Sequence, residues 1–409
     1  MLPELYKYIR IQGYDLITLK SDFIAGVTVA IVALPLSMAL AIASGASPEK
    51  GLITAVVAGF FISLLGGTRL QIGGPTGAFI IIVFDIIAKY GYEGLLLSTF
   101  MAGIILIISG YLKFGKIIEH VPHNVLTGFT TGLSIILLSS QIKDFLGLAI
   151  QNLPSHFIEK WQIILSNLDT INLKAFSISF MSLLIIFIQR KYYKKVPGFL
   201  IIVTLFSVFV SLTHVSVETI GTRYPDITLG IPIPSLPSWD IYYLIKLLPS
   251  ALTIAFLAGV ESLLCAVITD RMTKFKHDSN QELVGQGIAN IASSLFGGIS
   301  ATGAVARTVT NIQSGAKTPI AGIIHSLLIL IFIFFGLNLI KFVPLSCLSA
   351  ILFIVAWNMS DIKVFISYFK SSKIECSIML ITFFLTIFVG VSEAITLGLL
   401  CSLLAKKFK

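Results

Sequence analysis

Ser63-Leu-Leu-Gly-Gly67, leading to Gly74-Pro-Thr-Gly-Ala-Phe79, recurs in the second half of the chain as Ser294-Leu-Phe-Gly-Gly298, leading to Ser300-Ala-Thr-Gly-Ala-Val-Ala-Arg307. Each copy joins one apolar run to a shorter one through a Gly-rich approach, Gln71-Ile-Gly-Gly74 or Gly297-Gly-Ile-Ser300, where a helix is costly. Irregular backbone at membrane depth survives only where it lines a cavity or is covered by protein. Duplicated broken segments of this kind point to a transporter built from two related halves.

Composition agrees. Of 409 residues, 56% are hydrophobic and only 12% charged, which excludes a soluble globular domain and gives an all-α polytopic membrane protein embedded in a lipid bilayer. The net charge of +9 is scattered in short clusters between apolar runs, so it reads as membrane topology and not as a nucleic-acid surface. Fourteen runs are candidate membrane segments: 23–43, 48–66, 75–89, 94–112, 121–139, 172–189, 196–213, 244–269, 281–297, 302–315, 318–340, 342–358, 373–389 and 391–405. Alternate loops carry Lys113 and Lys116, Arg190 to Lys195, Arg271 to Lys276, Lys317, Lys363 to Lys373, and Lys406 to Lys409, whereas the loop ending at Asp240 is poor in positive charge. That bias places both termini in the cytoplasm and the chain in the inner (plasma) membrane. The run from Phe23 to Ala43 is too long for a signal-peptide core and follows a leader with both signs of charge, so it reads as the first segment. Cys265, Cys347, Cys376 and Cys401 read as small core residues, His120 and His123 lack a carboxylate partner pattern, and no metal or cofactor is expected.

The repeated lead-ins precede segments 3 and 10, an odd separation, so the halves enter the membrane in opposite directions as a 7+7 inverted repeat. Half-helices beginning there would point their N-termini, with orphan N–H groups and partial positive charge, at one another, which suits a partly dehydrated small inorganic anion. Gly74, Gly77, Gly298 and Gly303 clear the approach, Thr76 and Thr302 offer matching hydroxyl donors, and Arg307 raises the potential or neutralises Glu261. Glu261 stands alone in the apolar run 244–269, where a carboxylate costs roughly 2.5–3.5 kcal/mol, so it is a candidate ion-coupling group or a structural partner of Arg307. Pro35, inside segment 1, is expected to kink or unwind that helix, and Ser37 just past it either offers its hydroxyl to the site or bonds back to its own helix. No nucleophile–base set supports an enzyme.

Three stretches, Asp22-Phe-Ile-Ala-Gly-Val-Thr-Val-Ala-Ile-Val-Ala-Leu-Pro35-Leu-Ser-Met-Ala, Gly66-Gly-Thr-Arg69-Leu-Gln-Ile-Gly-Gly-Pro-Thr-Gly-Ala78 and Asn280-Gln-Glu-Leu-Val-Gly-Gln-Gly-Ile-Ala-Asn290 leading to Arg307, together resemble the SulP sulfate permease family of anion transporters. The resemblance implies a core domain of segments 1–4 and 8–11, a gate domain of segments 5–7 and 12–14, homodimers and elevator-like transport. On this chain that gives a cytoplasmic segment 1–22, core parts 23–115 and 241–340, and gate parts 116–240 and 341–409. The implied anion site comprises Pro35, Ser37, Met38, Gly74, Thr76, Gly77, Ala78, Phe79, Ala301, Thr302, Gly303, Ala304 and Arg307, with Glu261 and Cys265 coupling the ion. The expected activity is secondary transport of sulfate, by proton symport or exchange; bicarbonate transport coupled to sodium or protons, a dicarboxylate carrier and an anion channel stand as alternatives. Leu36 replaces the Gln that many members carry after the segment 1 proline, and Cys265 one turn after Glu261 favours a proton over sodium. Members usually continue into a STAS domain, whereas this sequence stops at Lys409.

Overall fold

The computed structural model describes residues 2–118, 122–150, 153–154, 156–193, 197–227, 230, 232–237, 241–273 and 275–407. His120, Lys194, Lys195, Asp240, Lys274 and Lys409, which entered the charge and ligand arguments above, lie outside the described residues.

Every one of the fourteen apolar runs carries helix. Runs 3 and 4 share the helix Ile80–Tyr111, which is interrupted at Gly91, where φ of 71° requires a residue without Cβ. By length and composition, seven of the described helices can cross a membrane, while Gly198–Thr213, Ile320–Phe335 and Glu393–Ala405 are shorter apolar helices. Three local expectations change. The first long helix begins at Leu16 and not at 23, because the Asp15 carboxylate caps it by accepting from the Thr18 N–H at 2.8 Å. Pro35 neither ends nor interrupts that helix, which runs unbroken to Ala43. The fold also contains a β-pair: Gly73–Gly74 and Thr302–Gly303 run antiparallel, with Gly73 opposite Gly303 and Gly74 opposite Thr302.

The chain forms two compact units. The first comprises Met1–Phe79, Ile86–Glu119 and Asp226–Ile340. Within it the helices approach closely wherever a glycine allows: a Cβ on Gly103 or on Gly287 would lie 2.6 Å from the other's carbonyl oxygen. A short helix, Glu4–Gln12, is added to what the apolar runs show. Arg69 holds it through Glu4 at 2.9 Å and stacks its guanidinium over Phe275 at 3.8 Å. The second unit comprises Ile80–Asp85, His120–Pro225 and Lys341–Lys409. There Arg223 grips Asp144 at 2.7 Å and also Glu218; burial alone would push the Glu218 carboxyl up, but the hydrogen bond and charge of Arg223 hold it below its ordinary range.

Asp22 shows how a charge inside an apolar helix is accommodated. It is fully buried, and its carboxylate accepts from the Lys317 N–H at 2.7 Å, the Thr318 N–H at 3.1 Å, the Thr318 hydroxyl and the Tyr14 hydroxyl. It thereby ties the first long helix to the loop that opens the helix Ile320–Phe335. Asp22→Ala strands those donors and should cost on the order of 3 kcal/mol. A thermal midpoint in detergent equal to that of the wild type would show the contact to be dispensable.

Candidate functional site

The two broken segments meet through their main chains. Ala304 N–H donates to the Ile72 carbonyl at 2.8 Å, Ile72 N–H donates to the Thr308 hydroxyl oxygen at 3.0 Å, and the Asn311 amide donates to the Leu70 carbonyl at 2.9 Å. The lead-in at 299–301 is fixed just as firmly. Thr54 accepts from the Ile299 N–H at 2.8 Å, and Asn290 both accepts from the Ala301 N–H and donates to its carbonyl, each at 2.9 Å. Thus Gly73–Gly74, just before the first threonine–glycine copy, lies beside Thr302–Gly303 of the second, and helix starts at Gly77 on one segment and at Val305 on the other.

At these starts the N–H groups of Gly77, Ala78, Val305 and Ala306 have no acceptor among the described residues. Gly77 is half-buried and Val305 and Ala306 are exposed, so three of these four donors belong to residues at open positions. Pro75, Ala78, Phe79, Ala301, Thr302, Gly303 and Ala304 are buried behind them. On the first long helix, Pro35, Ser37 and Met38 are buried as well.

Arg307 supplies the charge. It is 1% exposed, and its Nη2 donates to the Ser37 hydroxyl oxygen at 3.1 Å and to the Pro75 carbonyl at 3.2 Å. Ser37 therefore faces the arginine and does not bond back to its own helix. Gly74, at φ 149°, leaves room for Nη1, which any Cβ there would strike. No carboxylate pairs with Arg307 among the described residues, which removes the expected Glu261–Arg307 bridge. Glu261 instead accepts from the Thr76 hydroxyl at 3.0 Å.

The threonines divide differently from the expectation of matched donors into the site. Thr76 donates to Glu261, and Thr302, fully buried, donates to the Ala258 carbonyl at 2.9 Å. Both hydroxyl protons are committed to the helix Ile241–Thr273, leaving backbone N–H groups as the donors at the open positions. Cys265 likewise points its thiol at the Thr308 hydroxyl, 3.3 Å away.

The sequence reading missed a buried polar knot beneath Gly303. Glu282, fully buried, accepts from the Gln71 amide at 2.9 Å, the Ser262 hydroxyl at 2.9 Å, the Gln286 amide at 2.8 Å and the Gly67 N–H at 2.9 Å. Its place in the first turn of the helix Ser279–Leu295 looks like that of a solvated end charge. Three amide side chains within reach of one another, Gln71, Gln286 and Asn290, were the available signal that the region is buried and polar.

A main-chain cradle beside a buried guanidinium with no carboxylate partner among the described residues suits an anion. The model of the sulfate permease family matches residues 19–382. A Bacillus subtilis (strain 168) protein provisionally named sulfate transporter YvdB is 42% identical over 392 residues, which cover 96% of this chain and 74% of that one. The bicarbonate transporter BicA of Picosynechococcus sp. (strain ATCC 27264 / PCC 7002 / PR-6) is 32% identical over 398 residues, covering 93% of this chain and 69% of its own length. The solved transmembrane domain of a cyanobacterium bicarbonate transporter BicA superposes with a TM-score of 0.82 at 31% identity, covering 95% of this chain and 98% of that one. The structure of SLC26A9 shares the fold, with a TM-score of 0.89 at 19% identity over 100% of this chain and 68% of that one. The chain belongs to the sulfate permease family and is an integral membrane anion transporter.

Proposed function

We propose that the protein is a secondary active transporter of a small inorganic oxyanion, sulfate first, which it binds at the orphan N–H groups of Gly77, Ala78, Val305 and Ala306 under the potential of Arg307. The observation that carries this reading is the buried Arg307 guanidinium without a carboxylate partner, beside donors that no protein acceptor fills. The name of the Bacillus relative favours sulfate. Bicarbonate is the second reading, favoured by the BicA relatives in both sequence and structure. Glu261 is the coupling group in this scheme: beside the cradle, it alternates between a carboxylate held by Thr76 and a protonated acid. Cys265, with its thiol turned to Thr308, is a poor sodium ligand, in keeping with proton coupling.

The fourteen helical runs are read as a 7+7 inverted repeat in the plasma membrane with both termini cytoplasmic. Residues 23–115 and 241–340 are read as the core that moves and 116–240 and 341–409 as the gate, in a homodimer. The division of the chain into two compact units supports that partition. The test is uptake of labelled sulfate, bicarbonate and a dicarboxylate into proteoliposomes under separate proton and sodium gradients. Saturable sulfate uptake driven by an inward proton gradient is expected. In Glu261→Gln, that gradient should no longer drive accumulation while sulfate exchange persists. Unsaturable flux without coupling would replace the carrier reading by a channel, and proton-driven uptake intact in Glu261→Gln would remove Glu261 from coupling.

A further inference from the structure

His325, in the helix Ile320–Phe335, is fully buried; the Gly322 backbone lies beside its ring, and no described residue meets either ring nitrogen with good hydrogen-bond geometry. It lies within electrostatic reach of Arg307. Arg307 in turn leaves Nε and Nη1 buried and unpartnered, since Nη2 makes both of its hydrogen bonds. The two side chains share a neighbourhood. A Cβ on Gly59 would sit 3.8 Å from His325 Cε1 and 3.2 Å from the Gly73 carbonyl oxygen, and Gly74, the next residue, packs against Arg307 Nη1. Ser63, whose hydroxyl is also unpartnered and buried, packs against Gly322, one turn before His325. Such a concentration of bare buried donors and acceptors is unusual in a folded protein, and a polar gap of this kind suits bridging water.

The chemistry of the acceptor matters more than its presence. A guanidinium hydrogen-bonded through one nitrogen leaves its other edge buried and unsatisfied, and a second acceptor there would help to keep its charge aimed at the cradle. The nearby carboxylates are engaged elsewhere, Glu261 with Thr76 and Glu282 with Gln71, Ser262, Gln286 and Gly67. A neutral imidazole offers one acceptor lone pair and no charge. It can therefore orient Arg307 without neutralising it.

We propose that His325 is a positioning residue for anion binding: as a neutral imidazole it accepts, through a bridging water, from the guanidinium edge of Arg307 that Ser37 and Pro75 leave free. The inference rests on the anion-site reading above and adds why an uncharged acceptor stands behind the arginine. Removing the acceptor loosens the charge and weakens binding. Replacing it by a carboxylate fixes the arginine but cancels its field.

Sulfate affinity and turnover, measured on purified full-length protein in proteoliposomes for the wild type and for His325→Gln, His325→Leu and His325→Glu, test it. His325→Gln, which keeps a neutral acceptor, should stay within about threefold of the wild-type KM, whereas His325→Leu should raise KM about tenfold with the maximal rate little changed. His325→Glu should bind worse than His325→Leu. A His325→Leu protein with wild-type KM, even if its thermal midpoint falls, overturns the proposal and leaves the histidine a packing residue. Should His325→Leu fail to fold, the other two decide: wild-type KM in His325→Gln with binding lost in His325→Glu supports the proposal, and wild-type KM in His325→Glu overturns it. A wild type that binds none of the anions overturns the anion-site reading and this inference together.

Discussion

Arg307→Ala should weaken sulfate binding by about a hundredfold, because a unit charge some 5 Å from a divalent anion contributes roughly 3 kcal/mol at an effective dielectric of about 40, intermediate between a protein surface and bulk water. Arg307→Lys should recover part of that, since a point charge restores the potential, but not all of it. The shorter lysine side chain carries its ammonium short of the position from which Nη2 donates to both Ser37 and the Pro75 carbonyl. The structure also fixes the outcome of the double change with Glu261→Gln. Were the two residues an ion pair, losing both would be milder than losing one. Glu261 is held by Thr76, so the double variant should show no recovery of stability over Arg307→Ala. Anion titrations and thermal midpoints on the four proteins check this, and restored stability in the double variant would reinstate the pair.

Gly303→Val should be more damaging than loss of access to the cradle would make it. A Cβ at 303 would collide with the Gln71 amide nitrogen, which donates to Ser262 at 2.8 Å and to Glu282 at 2.9 Å. Displacing that amide leaves Glu282 short of a donor and forces apart Gly73 and Gly303, which face each other in the β-pair. Overpacking together with an unsatisfied buried group should cost roughly 3–5 kcal/mol, so binding and folding stability should fall together. That contact gives Gly303 a structural role beside the clearing of the approach expected from sequence. A well-folded Gly303→Val protein with full affinity would place the anion elsewhere.

What could be read from the chain, and what could not, divides along the range of the interactions. Helix positions follow from runs of apolar residues, and the breaks at 71–76 and 297–304 follow from glycines whose cost in a helix is local. The direction of a hydroxyl is not local. Thr76 and Thr302 stand in identical Thr-Gly-Ala contexts, yet one donates to a carboxylate and the other to the Ala258 carbonyl, because different turns of the helix Ile241–Thr273 face them. Similarly, Gln286 and Asn290 hint at a polar face beside Glu282 but do not reveal which distant donors meet it. Apart from Gln286, its donors come from Gly67, Gln71 and Ser262, which are not its neighbours along the chain. His325, alone in an apolar run, reads as core until the fold brings it into the neighbourhood of Arg307.

The β-pair carries a consequence for selectivity. Gly73 to Gly303 and Gly74 to Thr302 are matched by main-chain atoms, so the spacing between the two helix starts is set by peptide geometry and not by adjustable rotamers. A clamp of that kind cannot tighten around a smaller ion or relax around a larger one. Related anions should then be ranked by radius and hydration energy, and a change of preferred substrate requires residues around the cradle, such as Leu36 or Phe79, and not the glycines that form it.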